Sequence, residues 1–538
     1  MCSNARNKHK TVPNQGSLSI MLKQMVVDFM KCMIVQIHWL FDIIVDFCFG
    51  LYYDSKVQRV PPVKNKLLLE SGCSLAKKIR EGTVSAEEVV RTFIDRCKEV
   101  NGLLNTIVVE CYESAIKEAQ EVDKLLKTDV DREILRKTKP YLGVPFTTKE
   151  SNEAKGLKHS MGMICRRDHI STEDATVVGL LKEAGAIIIA KTNIPEMNLW
   201  IESRNNVYGQ TNNPYDTTRT VGGSSGGEGA IVAACGSAIS IGSDIGGSTR
   251  IPSFCNGVFG HKPSEGTTST KGIGMRSENS RDTMVGVGPM CKNAEDLLPL
   301  LKIYVGENIS MLKLDSQVDV KNLKVFYQVS SGDIRSSSVS KEMRSTLMKA
   351  VRHFEQVTGS ATKIKMPGSE YSYRIWRYWM TQEKGDFRHL ITNRKSVTSA
   401  RAEVMKLVSC QSELTLAAIL KLSDMDFLPQ ENADWARFVT STLKKFLLDK
   451  LSDNGILLYT SSPNSVPYHY ASYLKPFNFG YFCLFNALRF PVCQVPMGLD
   501  RNGLPTGIQV VAAPYNDHLC LAVAKELERA FGGWVPPS

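Results

Sequence analysis

Short, wholly apolar runs recur along this chain, each introduced by a helical stretch and a glycine. Asp174 to Gly185 has helical periodicity and leads directly into Ala186-Ile-Ile-Ile-Ala190. The same succession recurs at Ile231 to Ser243, and again through Leu323 to Val329, Lys341 to Val357 and Thr362 to Met366. A strand apolar at every position must be covered on both faces, and helices alternate with these strands. The pattern therefore predicts an α/β fold with a largely parallel, doubly covered sheet. Gly455-Ile-Leu-Leu-Tyr459 and Gly507-Ile-Gln-Val-Val511 return to strand, and Asp517 to Ala530 closes the chain as a helix. At 538 residues the chain has ample length for such a core.

Lys+Arg 66 against Asp+Glu 55 leaves a net charge of +11, thinly spread. No basic block interleaves with aromatics, which argues against a nucleic-acid partner. The 14 cysteines form neither a C-x-x-C pair nor a Cys/His cluster at metal-ligand spacing, so they read as reduced thiols, several of them, such as Cys235, Cys483 and Cys520, in apolar stretches.

The amino-terminal residues 1–55 stand apart. Arg6, Lys8, Lys10 and Lys23 precede a run from Met25 to Tyr53 dominated by large apolar side chains. The run starts too late and is too long for a cleaved signal peptide. At about 100° per residue, Gln24, Asp28, Lys31, His38, Asp42 and Asp46 share one narrow stripe. Such a helix crosses a membrane, lies in its interface with the stripe in water, or turns the stripe to a partner copy in a homodimer; a first core helix is the soluble alternative. Val60-Pro-Pro-Val63 reads as a stiff linker to a second domain, 56–538, whose first helices include a capping box at Ser85-Ala-Glu-Glu88. Within about 370–455 the pattern turns helical, including Met405 to Leu422, as in an insertion or lid.

Two glycine-rich segments carry the chemistry: Val221-Gly-Gly-Ser-Ser-Gly-Gly-Glu-Gly-Ala230 and Gly242-Ser-Asp-Ile-Gly-Gly-Ser-Thr-Arg250. A phosphate loop fails because Glu228 stands where lysine is needed. A dinucleotide fingerprint and a G-x-S-x-G nucleophile elbow both require a strand just before the glycines, and Asn212-Asn-Pro-Tyr-Asp216 is not one. What the segments can do is present two serine hydroxyls on glycine-rich backbone. A serine needs a base, and with no suitable histidine in view the base would be a desolvated lysine. Bringing a lysine from about 10.4 to near 7 takes roughly 4 to 5 kcal/mol of differential burial. Lys149, in Gly143-Val-Pro-Phe-Thr-Thr-Lys-Glu150, follows a short apolar strand and is best placed for that role; the alternative is an exposed strand-end lysine.

Lys149 in G-V-P-x-x-x-K-E, Ser224 in G-G-S-S-G-G and Ser248 in G-S-D-I-G-G-S, in this order, resemble the amidase signature family of Ser–cis-Ser–Lys hydrolases. The likeness extends over about residues 65 to 535 and includes Lys191-Thr-Asn-Ile-Pro-Glu196 and His261-Lys-Pro263. Glu228, Asn212-Asn-Pro-Tyr-Asp216 and the ending Phe531-Gly-Gly-Trp-Val535 are similar to the branch that acts on fatty-acid amides. Arg489, in Asn486-Ala-Leu-Arg-Phe-Pro491, departs from the family's glycine.

The resemblance implies a large central mixed, mostly parallel sheet covered by helices on both faces. It also implies the chemistry. Ser248 would attack the amide carbonyl, Ser224 would relay its proton to neutral Lys149, and the relay would reverse to protonate the leaving amine. Backbone N–H groups of Ile245, Gly246, Gly247 and Ser248 would form the oxyanion hole, with Ser225 in support. Neither metal nor organic cofactor is needed. The substrate would be a fatty-acid amide, since the apolar amino terminus and the helical 405–422 region favour a lipid. A tRNA amidotransferase subunit of the same family has no evident use for a membrane segment, and a silent lipid-binding protein would not need the intact triad.

Overall fold

The computed structural model describes residues 15–537 apart from Met275, Arg276 and Glu278, with side chains from Met25 onward. Arg6, Lys8 and Lys10 lie outside the described residues, as do the side chains of Lys23 and Gln24.

One 11-stranded sheet organises the body. Across it the strands run Ile107–Glu110, Ile187–Thr192, Pro145–Lys149, Ile239–Asp244, Gly286–Cys291, Phe259–Lys262, Val492–Leu499, Pro505–Ala512, Gly455–Thr460, Lys324–Gln328 and Ala361–Lys363. The sheet is mixed. Pro145–Lys149 is parallel to both its neighbours, and Lys324–Gln328 to both of its own. Antiparallel strands join these two parallel blocks. Every residue of Pro145–Lys149, Ile187–Thr192, Ile239–Asp244 and Gly455–Thr460 is buried, which requires cover on both faces. Helices such as Ala86–Leu104, Lys341–Thr358 and Asp517–Phe531 supply it with their buried apolar stripes. Ser85 Oγ caps the first of these by accepting the Glu88 N–H.

The helical stretch after residue 370 is subdivided. Met405 to Leu422, which periodicity suggests as one helix, is two: Ala400–Val408 and Leu416–Phe427. Cys410 turns left-handed at φ 57°, and Thr415 caps the second helix on the Ala418 N–H. A short polar stretch with its own cap ends one helix and starts another, whatever the apolar period across it.

The amino-terminal helix runs Gln15–Tyr53, and its segment Met25–Lys56 is long and apolar enough to cross a membrane by length and composition. Met25, Phe29, Ile37, Trp39 and Phe47 are exposed, while Asp42, Val45 and Gly50 are buried. Val60, in the linker, is 3% exposed, and Arg96 donates to the Pro61 carbonyl at 2.8 Å. The Pro-Pro stretch is thus packed on the body, where the sequence suggested a spacer.

Candidate active site

Parallel strands Pro145–Lys149 and Ile239–Asp244 end side by side, with Thr148 in register with Ile241. The crevice beyond the carboxyl ends of such strands is where open α/β sheets hold their ligands. Lys149, the last residue of its strand, is fully buried. Its Nζ donates to Ser224 Oγ and to Ser243 Oγ, each at 2.9 Å. The strand-end lysine is therefore internal, and register explains Ser243, which leaves the neighbouring strand beside it.

Ser224 arrives from the other glycine segment. It lies in the loop that enters helix Gly226–Ala233, with no strand before it, and the Gly223–Ser224 peptide is cis. The nucleophile-elbow geometry is absent. Gly223 is needed there because a Cβ would stand 2.5 Å from the Trp200 carbonyl oxygen. Ser225 donates its N–H to the Ser248 carbonyl at 3.0 Å, tying the two serine loops together.

The loop Ile245–Ser248 is shaped by Asp244. This buried carboxylate accepts from Gly247 N–H at 2.7 Å and from Arg250 Nε at 2.9 Å. Arg250 also donates to Gln509 and Asn486, so the second glycine segment is clamped to the strand Pro505–Ala512 and the helix Gly480–Leu488. Burial alone would raise the Asp244 carboxyl, but the Arg250 charge and hydrogen bonds hold it at about 2. Gly247 has φ 113°, and a Cβ there would meet Phe482 Cβ at 2.6 Å. Its N–H belongs to Asp244. The N–H groups of Ile245, Gly246 and Ser248 have no acceptor among the described residues, so three donors and not four are left for a ligand oxygen. Ser248 is partly exposed where its backbone turns, and no hydrogen bond joins its hydroxyl to Ser224 among the described residues.

Ser248, Ile245 and Gly246 sit in the wall of a cavity of about 550 Å³. Trp200, Tyr373, Trp376, Phe477 and Phe479 line it, and Leu420, Phe427 and Leu428, about half exposed, form its rim. Trp376 packs edge-on against Phe479, with centroids 5.0 Å apart, and its Nε1 donates to the Ile245 carbonyl at 2.8 Å. Sequence reasoning did not single out these aromatics. Apart from Trp200 they come from the helix Ser372–Met380 and from a loop a hundred residues later, and only Tyr373-x-x-Trp376 at helical spacing hinted at one shared face.

Glu228, noted in the glycine segment, is buried beside this machinery. Thr192 and Thr147 hydroxyls donate to its two oxygens at 2.6 and 2.7 Å. Burial pushes its carboxyl up to about 7, against the pull of these hydroxyls. Arg489 caps helix Gly480–Leu488 in the left-handed region at φ 65°, which accounts for glycine as the usual residue there. Its guanidinium pairs with Glu265.

Two serine loops meet a buried lysine at the ends of parallel strands, and comparison with known proteins identifies the class. The family model described as Amidase matches residues 88–521, and the chain belongs to this family of amide-hydrolysing enzymes. Among its relatives, fatty-acid amide hydrolase 2 of Homo sapiens is 43% identical over 499 residues, covering 91% of this chain and 93% of that protein. Fatty-acid amide hydrolase 2-A of Danio rerio is 41% identical, covering 89% and 92%. A solved fatty acid amide hydrolase structure shares the fold with a TM-score of 0.70 at 22% identity, covering 88% of this chain and 86% of that one.

Proposed function

We propose that this chain hydrolyses fatty-acid amides to a fatty acid and an amine through an acyl-enzyme on Ser248. The observation that carries the reading is the aromatic-lined cavity in whose wall Ser248 and Gly246 stand and whose rim is Leu420 and Phe427. An acyl chain in it removes apolar surface from water while its carbonyl reaches the glycine loop. Ser248 Oγ attacks that carbonyl, and its proton passes through Ser224 Oγ to the neutral amine of Lys149, 2.9 Å from Ser224. Charge developing on the carbonyl oxygen is taken by N–H groups of Ile245, Gly246 and Ser248, while Gly247 holds the loop on Asp244 and Ser225 holds it to the relay serine. The proton returns through Ser224 to the amine nitrogen as the C–N bond breaks. Water then cleaves the ester by the same relay.

The amino-terminal helix is read as the membrane-associated element. Residues before Asp42 expose Phe29, Ile37, Trp39 and Leu40, and the helix Ala400–Val408 adds exposed Met405 and Val408. The Asp42 and Asp46 end of the amino-terminal helix's polar stripe lies against Lys475 of the same chain, while Asp28 and Lys31 stay exposed.

The test is covalent labelling with a long-chain fluorophosphonate, followed by peptide mapping and an assay of fatty-acid amide hydrolysis. Label on Ser248, lost in Ser248→Ala together with turnover, is the expected result. Label on Ser224, or turnover only with short amides, would overturn the assignment or the substrate class respectively, and binding without labelling would favour a silent lipid-binding protein.

A further inference from the structure

Lys475 is a nearly buried lysine of the body, its side chain 6% exposed, yet the only carboxylates within 4 Å of it among the described residues belong to the amino-terminal helix. Its Nζ donates to Asp46 Oδ1 at 2.6 Å and lies 3.7 Å from Asp42. The spacing from Asp42 to Asp46 puts both on one helix face. Further along the same face, Phe49 and Tyr53 stack on Tyr468, whose hydroxyl donates to Asp54 at 2.6 Å. The helix is therefore seated on the segment Tyr468–Phe479.

The other side of that segment is the cavity. Tyr473 stacks on Trp200 at 4.6 Å between ring centroids, and Pro476, Phe477 and Phe479 line the wall. A second cavity of about 390 Å³, with Asp46 and Lys475 in its lining, shares Phe479 and Ile201 with the first, so those side chains are the wall common to the two cavities. A lysine removed from water needs its counter-charge close by. Here the counter-charge is supplied by the anchor.

We infer that Lys475 is a positioning residue through which the docked amino-terminal helix sets the aromatic wall of the cavity and thereby the enzyme's affinity for long acyl chains. The inference rests on the reading of that cavity as the acyl site. With Asp46 neutral, the lysine draws toward solvent and Phe477 and Phe479 move with it. A long chain that runs along those rings loses contact, whereas a short amide held at the glycine loop does not reach them.

Full-length Asp46→Asn and Lys475→Met, assayed in detergent micelles to remove partition into a bilayer, are expected to raise KM for a long-chain fatty-acid amide about tenfold with kcat within twofold, and to change kcat/KM for a short water-soluble amide less than twofold. The charge exchange Asp46→Lys with Lys475→Asp, in an Asp42→Asn background, is expected to restore most of the long-chain KM. Equal losses on both substrates, or no change in long-chain KM, would overturn the inference. Asp46 is half exposed, so its substitution leaves the body's core intact and keeps the test informative even where Lys475→Met misfolds. A wild-type enzyme inactive on every fatty-acid amide would instead remove the substrate reading, a distinguishable failure.

Discussion

The indole N–H of Trp376 donates to the carbonyl of Ile245 at 2.8 Å, and this bond joins the aromatic wall of the cavity to the loop that bears Ser248. Ile245 and Gly246 stand in the same cavity wall as Trp376, so the bond ties the glycine loop to the aromatic wall. Trp376→Phe keeps the ring and loses the bond. A neutral hydrogen bond is worth about 1 kcal/mol, so kcat should fall roughly fivefold with KM changed less than twofold. Steady-state kinetics on a long-chain amide checks it, and an unchanged kcat would show that the loop does not depend on the indole.

Lys149→Ala separates attack from departure. Amine leaving groups need a returned proton and alkoxide leaving groups need it far less. The variant should therefore lose matched-amide hydrolysis at least about tenfold more than hydrolysis of the matched ester, and parallel losses on the two would contradict the relay from Ser224.

Glu228 predicts a pH dependence of stability. Its carboxyl holds its proton to about 7 in the fold, against an ordinary value near 4.3. Between these values the unfolded chain releases the proton first, so this group's contribution falls as pH rises from about 4 to 7 and is constant above. Glu228→Gln should abolish that slope: relative to the parent, the variant should gain about 3 kcal/mol between pH 4 and pH 7.5. Urea unfolding at the two pH values measures it, and parallel behaviour of the two proteins would show that Glu228 ionises normally in the fold.

Gly247→Ala should remove probe labelling at Ser248 by a hundredfold or more while leaving the circular dichroism spectrum unchanged. The added methyl would meet Phe482 at 2.6 Å from a left-handed backbone, which shifts the loop at a cost of about 1 to 3 kcal/mol. Labelling at the parent rate would mean that the loop tolerates displacement.

Much of the site was legible because its chemistry is local. Each glycine segment and the strand that ends at Lys149 are contiguous, although what crowds their glycines lies far off in the chain, Trp200 for Gly223 and Phe482 for Gly247. The doubly covered sheet was legible for the same reason, since burial on both faces writes wholly apolar runs such as Ile187–Thr192. The aromatic wall was not, because Trp376 and Phe479 meet only after the chain has folded across a hundred residues.

The sequence by itself determined the class of enzyme and pointed to Lys149, Ser224 and Ser248 as the candidate site, because each lies in a contiguous stretch whose residue types admit few alternatives. Only the tertiary structure decided that Gly247 N–H is committed to Asp244, that the helix suggested at 405–422 breaks in two, and that Asp42 and Asp46 face Lys475. A one-dimensional stripe of polar residues on an apolar helix says that it must meet something polar. Whether that is water, a second copy or a buried lysine 429 positions away depends on where the folded body places its charges.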